Sequence, residues 1–213
     1  MKHPQSNYER QVDIGKHIFL GYDQHTLIHK FQLQADDLWI YLSYLNTPYR
    51  ISRTHGDIEE YHNSAWKTCR EYTTVMTIYD LLCFPQGKDA PALLGQWCTL
   101  GTFSVVGGPS ADTFVSKYAH LFNRHIPELK AACKALGGEF QPRLAGADVT
   151  CKINATSFLP VLLQFWEGDE EFSPRLVLMW DRNADQFLRF ETMFYLQGDL
   201  LTRLKNYINE NSR

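Results

Sequence analysis

The sequence predicts an α+β fold, in which a mostly antiparallel sheet with a central buried hairpin packs against several helices. Three observations indicate this class: amphipathic segments with helical spacing, short aromatic and β-branched runs joined by turns, and two nearly continuous apolar runs near the C-terminus. The chain has 213 residues and shows no internal repeat and no convincing linker. We therefore expect residues 1–213 to form a single domain.

The first two elements are expected to be helices. The apolar residues of 8–22 recur at mixed three and four spacing, which predicts a helix that ends near Gly21. Asp23 can then act as the N-cap of a short second helix, whose apolar positions continue to Phe31.

A β-hairpin and a long helix are expected next. The run 38–44 is rich in aromatic and β-branched residues and 49–53 alternates, which predicts a hairpin around Asn46-Thr47-Pro48 with a loop of three or four residues. Helical spacing then predicts a long helix that starts at Asn63 or Ser64. Its recurring positions are Trp66, Cys69, Tyr72, Met76, Tyr79 and Cys83.

The middle of the chain predicts a short strand followed by two helices. The strand is expected within 97–103, and Gly107-Gly108-Pro109-Ser110 is expected to open a helix with Ser110 as its cap. Pro127 should restart the helix, and Gly137-Gly138 should close it. The expected buried stripe of the first of these helices is Phe114, Tyr118, Leu121 and Phe122.

The last third of the chain contains the clearest signals. Residues 147–155 alternate as in a half-exposed strand, while 159–166 and 176–180 are apolar runs that suit strands buried on both faces. We expect these two runs to form a central antiparallel pair with an acidic connection. A C-terminal helix is predicted by one apolar face: Met193, Leu196, Leu200, Leu201, Leu204, Tyr207 and Ile208.

Charge and cysteine content exclude several classes of function. The chain has 21 Lys and Arg residues against 24 Asp and Glu residues, so we expect neither nucleic acid nor an anionic membrane as partner. Five cysteines without any C-x-x-C predict buried reduced thiols and indicate neither a disulfide framework nor a zinc or iron–sulfur site, so no residue is assigned as a metal ligand. The first residues have no apolar run typical of a signal peptide, which predicts a cytoplasmic protein.

The acidic connection carries the densest charge in the chain. Glu167, Asp169, Glu170 and Glu171 lie within five residues, and Asp181 follows at the far end of the next strand. Such carboxylates could coordinate a hard cation or provide an acid with a raised pKa, because like charges held close cannot all ionise. A solvated turn explains the same residues, although Phe172 and Pro174 place apolar surface beside the acids.

Histidine and serine chemistry is less clearly indicated. His25 and His29 share a helical face at the spacing of a metal-binding pair, but no H-E-x-x-H and no third ligand accompany them. No nucleophile elbow, phosphate loop or dinucleotide fingerprint is present. The aromatic residues, 14% of the chain, are core material that could also wall a pocket for a planar ligand.

One stretch of the chain resembles a known family. Leu159-Pro160-Val161, the stretch W-x-G-D-E-E-F at 166–172, Trp180-Asp181 and the run 185–188 are similar to domain-of-unknown-function family 3786 of anaerobic bacteria and methanogenic archaea. The resemblance implies no established activity. Some members are fused to, or encoded near, four-cysteine iron–sulfur and corrinoid one-carbon proteins, and this chain has no such four-cysteine segment.

The sequence therefore favours a cytoplasmic binding or accessory domain, tied by the resemblance to anaerobic one-carbon or corrinoid metabolism, that binds a small molecule or a partner protein. The expected site residues are Trp166, Glu167, Asp169, Glu170, Glu171, Phe172 and Asp181. An alternative is a metal-assisted or carboxylate acid–base hydrolase or transferase, in which His25, His29, His55 or His62 joins the same loop. A third is an interaction protein that uses a surface patch. The ligand, any cofactor and the oligomeric state stay open.

Overall fold

The computed structural model describes residues 6–103, 111–142 and 144–211. Within these residues the chain has six α-helices and ten strands, and the strands form two antiparallel sheets of five strands each. A continuous apolar core runs through both sheets and the helices around them. The predicted α+β class is confirmed.

The elements follow one another along the chain as follows. The helices are α1 (Asn7–Gly21), α2 (Gln24–Phe31), α3 (Tyr72–Cys83), α4 (Ala111–Phe122), α5 (Ile126–Ala135) and α6 (Phe190–Asn211). The strands of the first sheet are β1 (Gln34–Ala35), β2 (Trp39–Tyr44), β3 (Thr47–Ser52), β4 (Ile58–His62) and β5 (Ala65–Thr68). Those of the second are β6 (Trp97–Thr99), β7 (Glu139–Phe140), β8 (Val149–Thr156), β9 (Leu159–Trp166) and β10 (Arg175–Asp181).

The two sheets differ in connectivity. The first is a meander in the order β1-β2-β3-β4-β5, and the second has the order β6-β10-β9-β8-β7. Leu163 of β9 lies between Cys151 and Leu178 of its neighbouring strands, and all three side chains are buried. The predicted central antiparallel pair, β9 and β10, is therefore confirmed. The sheets meet where the backbone N–H of Leu45 donates to the carbonyl of Ala155.

Side chains that accept free backbone N–H groups fix the first residues of two helices. Ser6 accepts the N–H of Glu9, while the Glu9 carboxylate accepts the N–H of Ser6, a capping box that starts α1. Asp23 accepts the N–H of His25 and caps α2, as predicted. Gly137, with a φ of 72°, ends the segment after α5 in the left-handed region that glycine adopts freely.

Two turns were mispredicted because residues other than glycine adopt positive φ in both. Leu45 and Asn46 both have positive φ and form a two-residue turn between β2 and β3, so the predicted loop of three or four residues is wrong. Asn63 and Ser64 also have positive φ and join β4 to β5. The long helix predicted from Asn63 or Ser64 is therefore wrong over its first part, and the helix begins only at Tyr72.

Three further expectations needed correction. On α4 the buried stripe is Val115, Ala119 and Phe122, whereas Leu121 is exposed. The strand predicted within 97–103 ends at Thr99 and continues as a 3-10 helix. Strand β8 is mostly buried rather than half-exposed because it lies inside the second sheet, between β7 and β9. The expected cap at Ser110, with Gly107-Gly108-Pro109, lies outside the described residues.

Helix α6 is the element that connects the parts of the molecule. It packs against α3, α4 and α5, and it buries the predicted apolar face, with Tyr207 only partly covered. All five cysteines are free thiols, four of them buried and Cys98 partly exposed. Among the described helices, none has the length and apolar character needed to cross a membrane.

Candidate functional site

The predicted acidic loop connects β9 to β10 at the surface. The side chains of Glu167, Asp169, Glu170 and Glu171 are exposed, and the Phe172 ring is 69% exposed. A cavity begins at the base of the loop, at Pro174 and Arg175, but none of the four acidic residues is among the described residues that line it. The carboxylates face solvent, and their role in binding stays a prediction.

Backbone hydrogen bonds explain much of the loop's sequence. The Asp169 carboxylate accepts the N–H groups of Glu171 and Phe172, which hold the pKa of this carboxyl below its usual value. At Gly168 a Cβ atom would lie 2.6 Å from Cδ of Pro174, so only glycine fits where the loop folds back. The Glu167 carboxylate accepts the N–H of Arg124. The W-x-G-D pattern thus shapes a tight turn.

The structure does not bring the other predicted site residues together with these acids. Asp181 lies at the opposite end of β10, is 1% exposed, and accepts backbone N–H groups from Leu94, Gly95 and Asn183. Trp166 donates its indole N–H to the carbonyl of Ala145. These bonds give both residues a structural explanation.

The candidate histidines lie on the surface. The side chains of His25, His29, His55 and His62 are all exposed. In the part of the chain that the structure describes, no group of three or more His, Cys, Asp or Glu residues is arranged to hold a metal ion. The metal-assisted alternative stays a sequence-based hypothesis without support from this geometry.

A polar cleft of about 810 Å³ lies between the first sheet, the start of α3 and the C-terminal half of α6. Alternation along the strands places Thr47 and Tyr49 of β3 on the same face as Glu60 and His62 of β4. The described residues that line the cleft are Thr47, Tyr49, Glu60, His62, Glu71, Thr73, Thr74, Leu136, Asp199, Thr202, Arg203, Asn206, Tyr207 and Glu210.

Three hydroxyl groups hold the carboxylate of Asp199 in this cleft. Thr73 donates to Oδ1 at 2.6 Å, while Thr74 and Tyr44 donate to Oδ2 at 2.8 and 2.9 Å. No Lys, Arg or His of the described residues lies within ion-pair distance of Asp199. The carboxylate is therefore fixed by neutral hydroxyl groups and forms no direct ion pair with the described residues.

The guanidinium group of Arg203 is fixed in the same manner, one helical turn further along α6. It donates to the hydroxyl of Thr47 at 2.9 Å and to that of Tyr49 at 2.8 Å. Longer contacts of 3.4 Å reach the carbonyls of Tyr44 and Leu45. Arg203 thus ties α6 to the β2–β3 hairpin and contributes the one ionised cation of the described cleft lining.

The charges of the cleft lining favour a positively charged ligand. Its described lining has four carboxylates against the one guanidinium group of Arg203. Burial raises the pKa of the Tyr44 phenol well above 10.0, and the negative charge of Asp199 raises it further. Burial also raises the pKa of Tyr49. Both phenols therefore stay neutral at physiological pH and keep the protons that they donate to Asp199 and Glu60.

Sequence reasoning missed this cleft. Asp199 and Arg203 lie four apart on a helix whose prediction rested on its apolar face, and their spacing is also that of an ordinary surface pair. Glu60 and His62 belong to a hairpin that was not predicted. The alternation Ile58, Glu60, His62 before the Asn63-Ser64 turn was the signal that could have found it.

Comparison with known proteins gives one match. A family model with the description "Domain of unknown function (DUF3786)" matches residues 23–203. No curated protein and no solved structure matches the chain. The matched range includes both sheets, the acidic loop and two of the charged residues of the cleft, Asp199 and Arg203.

Proposed function

Since the chain belongs to the DUF3786 family, whose description gives no activity, we propose from the cleft itself that the protein is a binding domain for a small polar molecule that carries a positively charged group. The observation that supports this proposal is the state of Asp199. Its carboxylate is held by three hydroxyl groups, has no ion-pair partner among the described residues, and lines the cleft.

The hydrogen-bond capacity of Asp199 supports a ligand contact. An ionised carboxylate has about four acceptor positions, two on each oxygen. Tyr44 and Thr74 occupy both positions of Oδ2, whereas Thr73 occupies one position of Oδ1. One position on Oδ1 is therefore left for a donor that comes from the cleft, and an ammonium group is the donor that best suits a carboxylate without a direct ion pair.

The rigidity of the cleft also favours binding. Because Asp199 and Arg203 are already held by hydroxyl groups, neither side chain has to be ordered when a ligand arrives, which lowers the entropic cost of association. A cleft of about 810 Å³ is within the roughly 300 to 1,000 Å³ typical of small-molecule sites. The hydroxyl-rich lining suits a ligand with further polar atoms.

This proposal keeps the expected class of binding or accessory domain and places its site in the cleft. The acidic loop, with Glu167, Asp169, Glu170 and Glu171, stays a second prediction as a docking element. The link to anaerobic one-carbon or corrinoid proteins and the cytoplasmic location rest on the sequence alone. An enzymatic role has no observation in its favour.

Titration calorimetry with defined probes tests the proposal. We expect 1,4-diaminobutane to bind the wild-type protein more tightly than 1-butanol or butyrate, and to bind less tightly as salt is added. Asp199→Asn should weaken binding of the diamine about tenfold, since a charged hydrogen bond is worth about 1.5 to 3 kcal/mol. Asp185→Asn is the matched control, because it removes the same charge from an exposed position outside the cleft.

Each possible result of these titrations leads to a different conclusion. Binding that Asp199→Asn reduces and Asp185→Asn does not reduce supports the cleft. Equal loss in both variants would indicate a nonspecific charge effect, and absence of diamine binding to the wild type would overturn the proposal. Asp199→Asn also replaces one of the two oxygens that accept the three hydroxyl groups, so this variant risks unfolding. In that case Glu60→Gln, which removes another carboxylate from the cleft lining, provides a second test.

A further inference from the structure

A second cavity, of about 350 Å³, lies between β10 and the helices α4 and α6. Its walls combine apolar and polar groups, and the apolar side chains include Val115 from α4, Leu176 and Leu178 from β10, and Leu100 from the 3-10 helix that follows β6. A volume of this size is within the range of small-molecule sites. This lining indicates an occupant with an apolar body and a polar group.

One buried polar group that lines this cavity has no partner among the described residues. Gln197 of α6 is 1% exposed, and its Nε2 amide makes no hydrogen bond to residues 6–103, 111–142 or 144–211 that the structure describes. A buried donor that makes no hydrogen bond costs about 1 to 3 kcal/mol, and most buried polar groups in proteins are paired. An amide donor kept at the wall of a cavity indicates an acceptor atom of a ligand.

The charge of the lining indicates what kind of acceptor. Among the described lining residues Arg175 is the one ionised side chain, and none is acidic. Arg175 is exposed and its guanidinium group lies over the Trp166 ring, 5.0 Å from the centroid, so it contributes positive charge at the cavity's edge. The hydroxyl groups of Thr99 and Ser116 add polar positions. Anions are favoured over cations here.

We propose that this cavity binds a small organic carboxylate, whose apolar body packs against Val115, Leu176 and Leu178 while its carboxylate accepts a hydrogen bond from Nε2 of Gln197. The preferred charge is opposite to that of the polar cleft, and the lining residues are different. The proposal is therefore independent of the function proposed for the cleft.

Calorimetric titration with three probes of equal chain length tests the proposal: hexanoate, 1-hexanol and hexylamine. We expect hexanoate to bind most tightly and hexylamine least. Gln197→Leu, which removes the donor and keeps a similar volume, should weaken hexanoate about tenfold and leave thermal stability unchanged or higher, because an unpaired buried donor is removed. Gln197→Glu should reverse the preference, so that hexylamine binds more tightly than hexanoate.

Several results would overturn the proposal. Hexanoate that binds no better than hexanol, or equally well to wild type and Gln197→Leu, would exclude a specific carboxylate contact. A wild type that binds no hexanoate, together with a Gln197→Leu variant that is less stable, would show that Gln197 is a structural residue whose amide is paired with water. Asp199→Asn should leave hexanoate binding unchanged, which separates this test from that of the cleft.

Discussion

The carboxylate of Asp181 accepts the backbone N–H of Gly95 at 2.7 Å and so anchors a loop that precedes it by 86 residues in the chain. Asp181 is almost fully buried, and two more backbone N–H groups, from Leu94 and Asn183, complete its hydrogen bonds. A buried carboxylate is tolerated when backbone donors stabilise its charge. The same residue that the sequence indicates as a binding group therefore joins β10 to the segment before β6.

Replacement of Asp181 tests this anchoring role. Asp181→Asn should lower the free energy of unfolding by about 1 to 3 kcal/mol, because the new amide nitrogen cannot accept an N–H group and leaves a buried donor unpaired. Urea denaturation at pH 7 measures the loss. The control is Asp185→Asn, at an exposed position nearby, which should change stability by less than about 0.5 kcal/mol. Equal effects of the two substitutions would contradict the anchoring role.

Two glycines inside helices should respond in opposite directions to alanine. Gly198→Ala in α6 should raise stability by roughly 0.5 to 1 kcal/mol, since the nearest atom to an added Cβ is 3.8 Å away and alanine has the higher helix propensity. Gly15→Ala in α1 should lower stability, because its Cβ would lie 2.7 Å from Cδ2 of Tyr79 on α3. Thermal unfolding of both variants provides the comparison, and the same sign in both would refute the packing argument.

Acid should remove the stabilising effect of Asp169. Its pKa is lowered in the folded protein by the N–H groups of Phe172 and Glu171, so the ionised form favours folding above the usual value of 3.8. That contribution is lost as pH falls through the lowered pKa. Asp169→Asn should therefore destabilise the protein at pH 7 and have less effect below pH 3. Chemical denaturation at both values checks the sign, and a larger effect in acid would contradict it.

Thiol reactivity should distinguish Cys98 from the other cysteines. Burial raises the pKa of Cys69 to about 11 and that of Cys83 to about 12, and the thiols of Cys133 and Cys151 are fully covered. Cys98 alone is partly exposed. With a chromogenic disulfide reagent at pH 8 we expect one thiol to react in the native protein and five after denaturation. Rapid reaction of the native Cys98→Ser variant would show that another thiol is accessible.

The sequence predicted those parts of the fold in which local signals agree with the tertiary structure. The C-terminal helix has one continuous apolar face, and the apolar runs of β9 and β10 are short and bounded by turns, as buried strands are. The segment 63–71 was misread because Trp66 and Cys69 happen to continue the helical spacing of α3. Here the left-handed turn at Asn63-Ser64 decides the structure, since it lets β5 pair with β4.

The candidate site was harder to predict than the fold. The acidic loop is conspicuous in the sequence because its charged residues are clustered. A solvent-exposed turn between two buried strands has the same composition, so the cluster does not by itself identify a site. Asp199 gains its importance from Tyr44 and Thr73, which lie more than a hundred residues earlier in the chain. No local pattern contains that information, because it arises only when α6 packs against α3 and the first sheet.

Helix α6 gives the two cavities a shared wall. Gln197 lines the second cavity and Asp199, only two residues later, lines the polar cleft. Because both residues belong to the same turn of the helix, a substitution that displaced this turn would change the walls of both cavities.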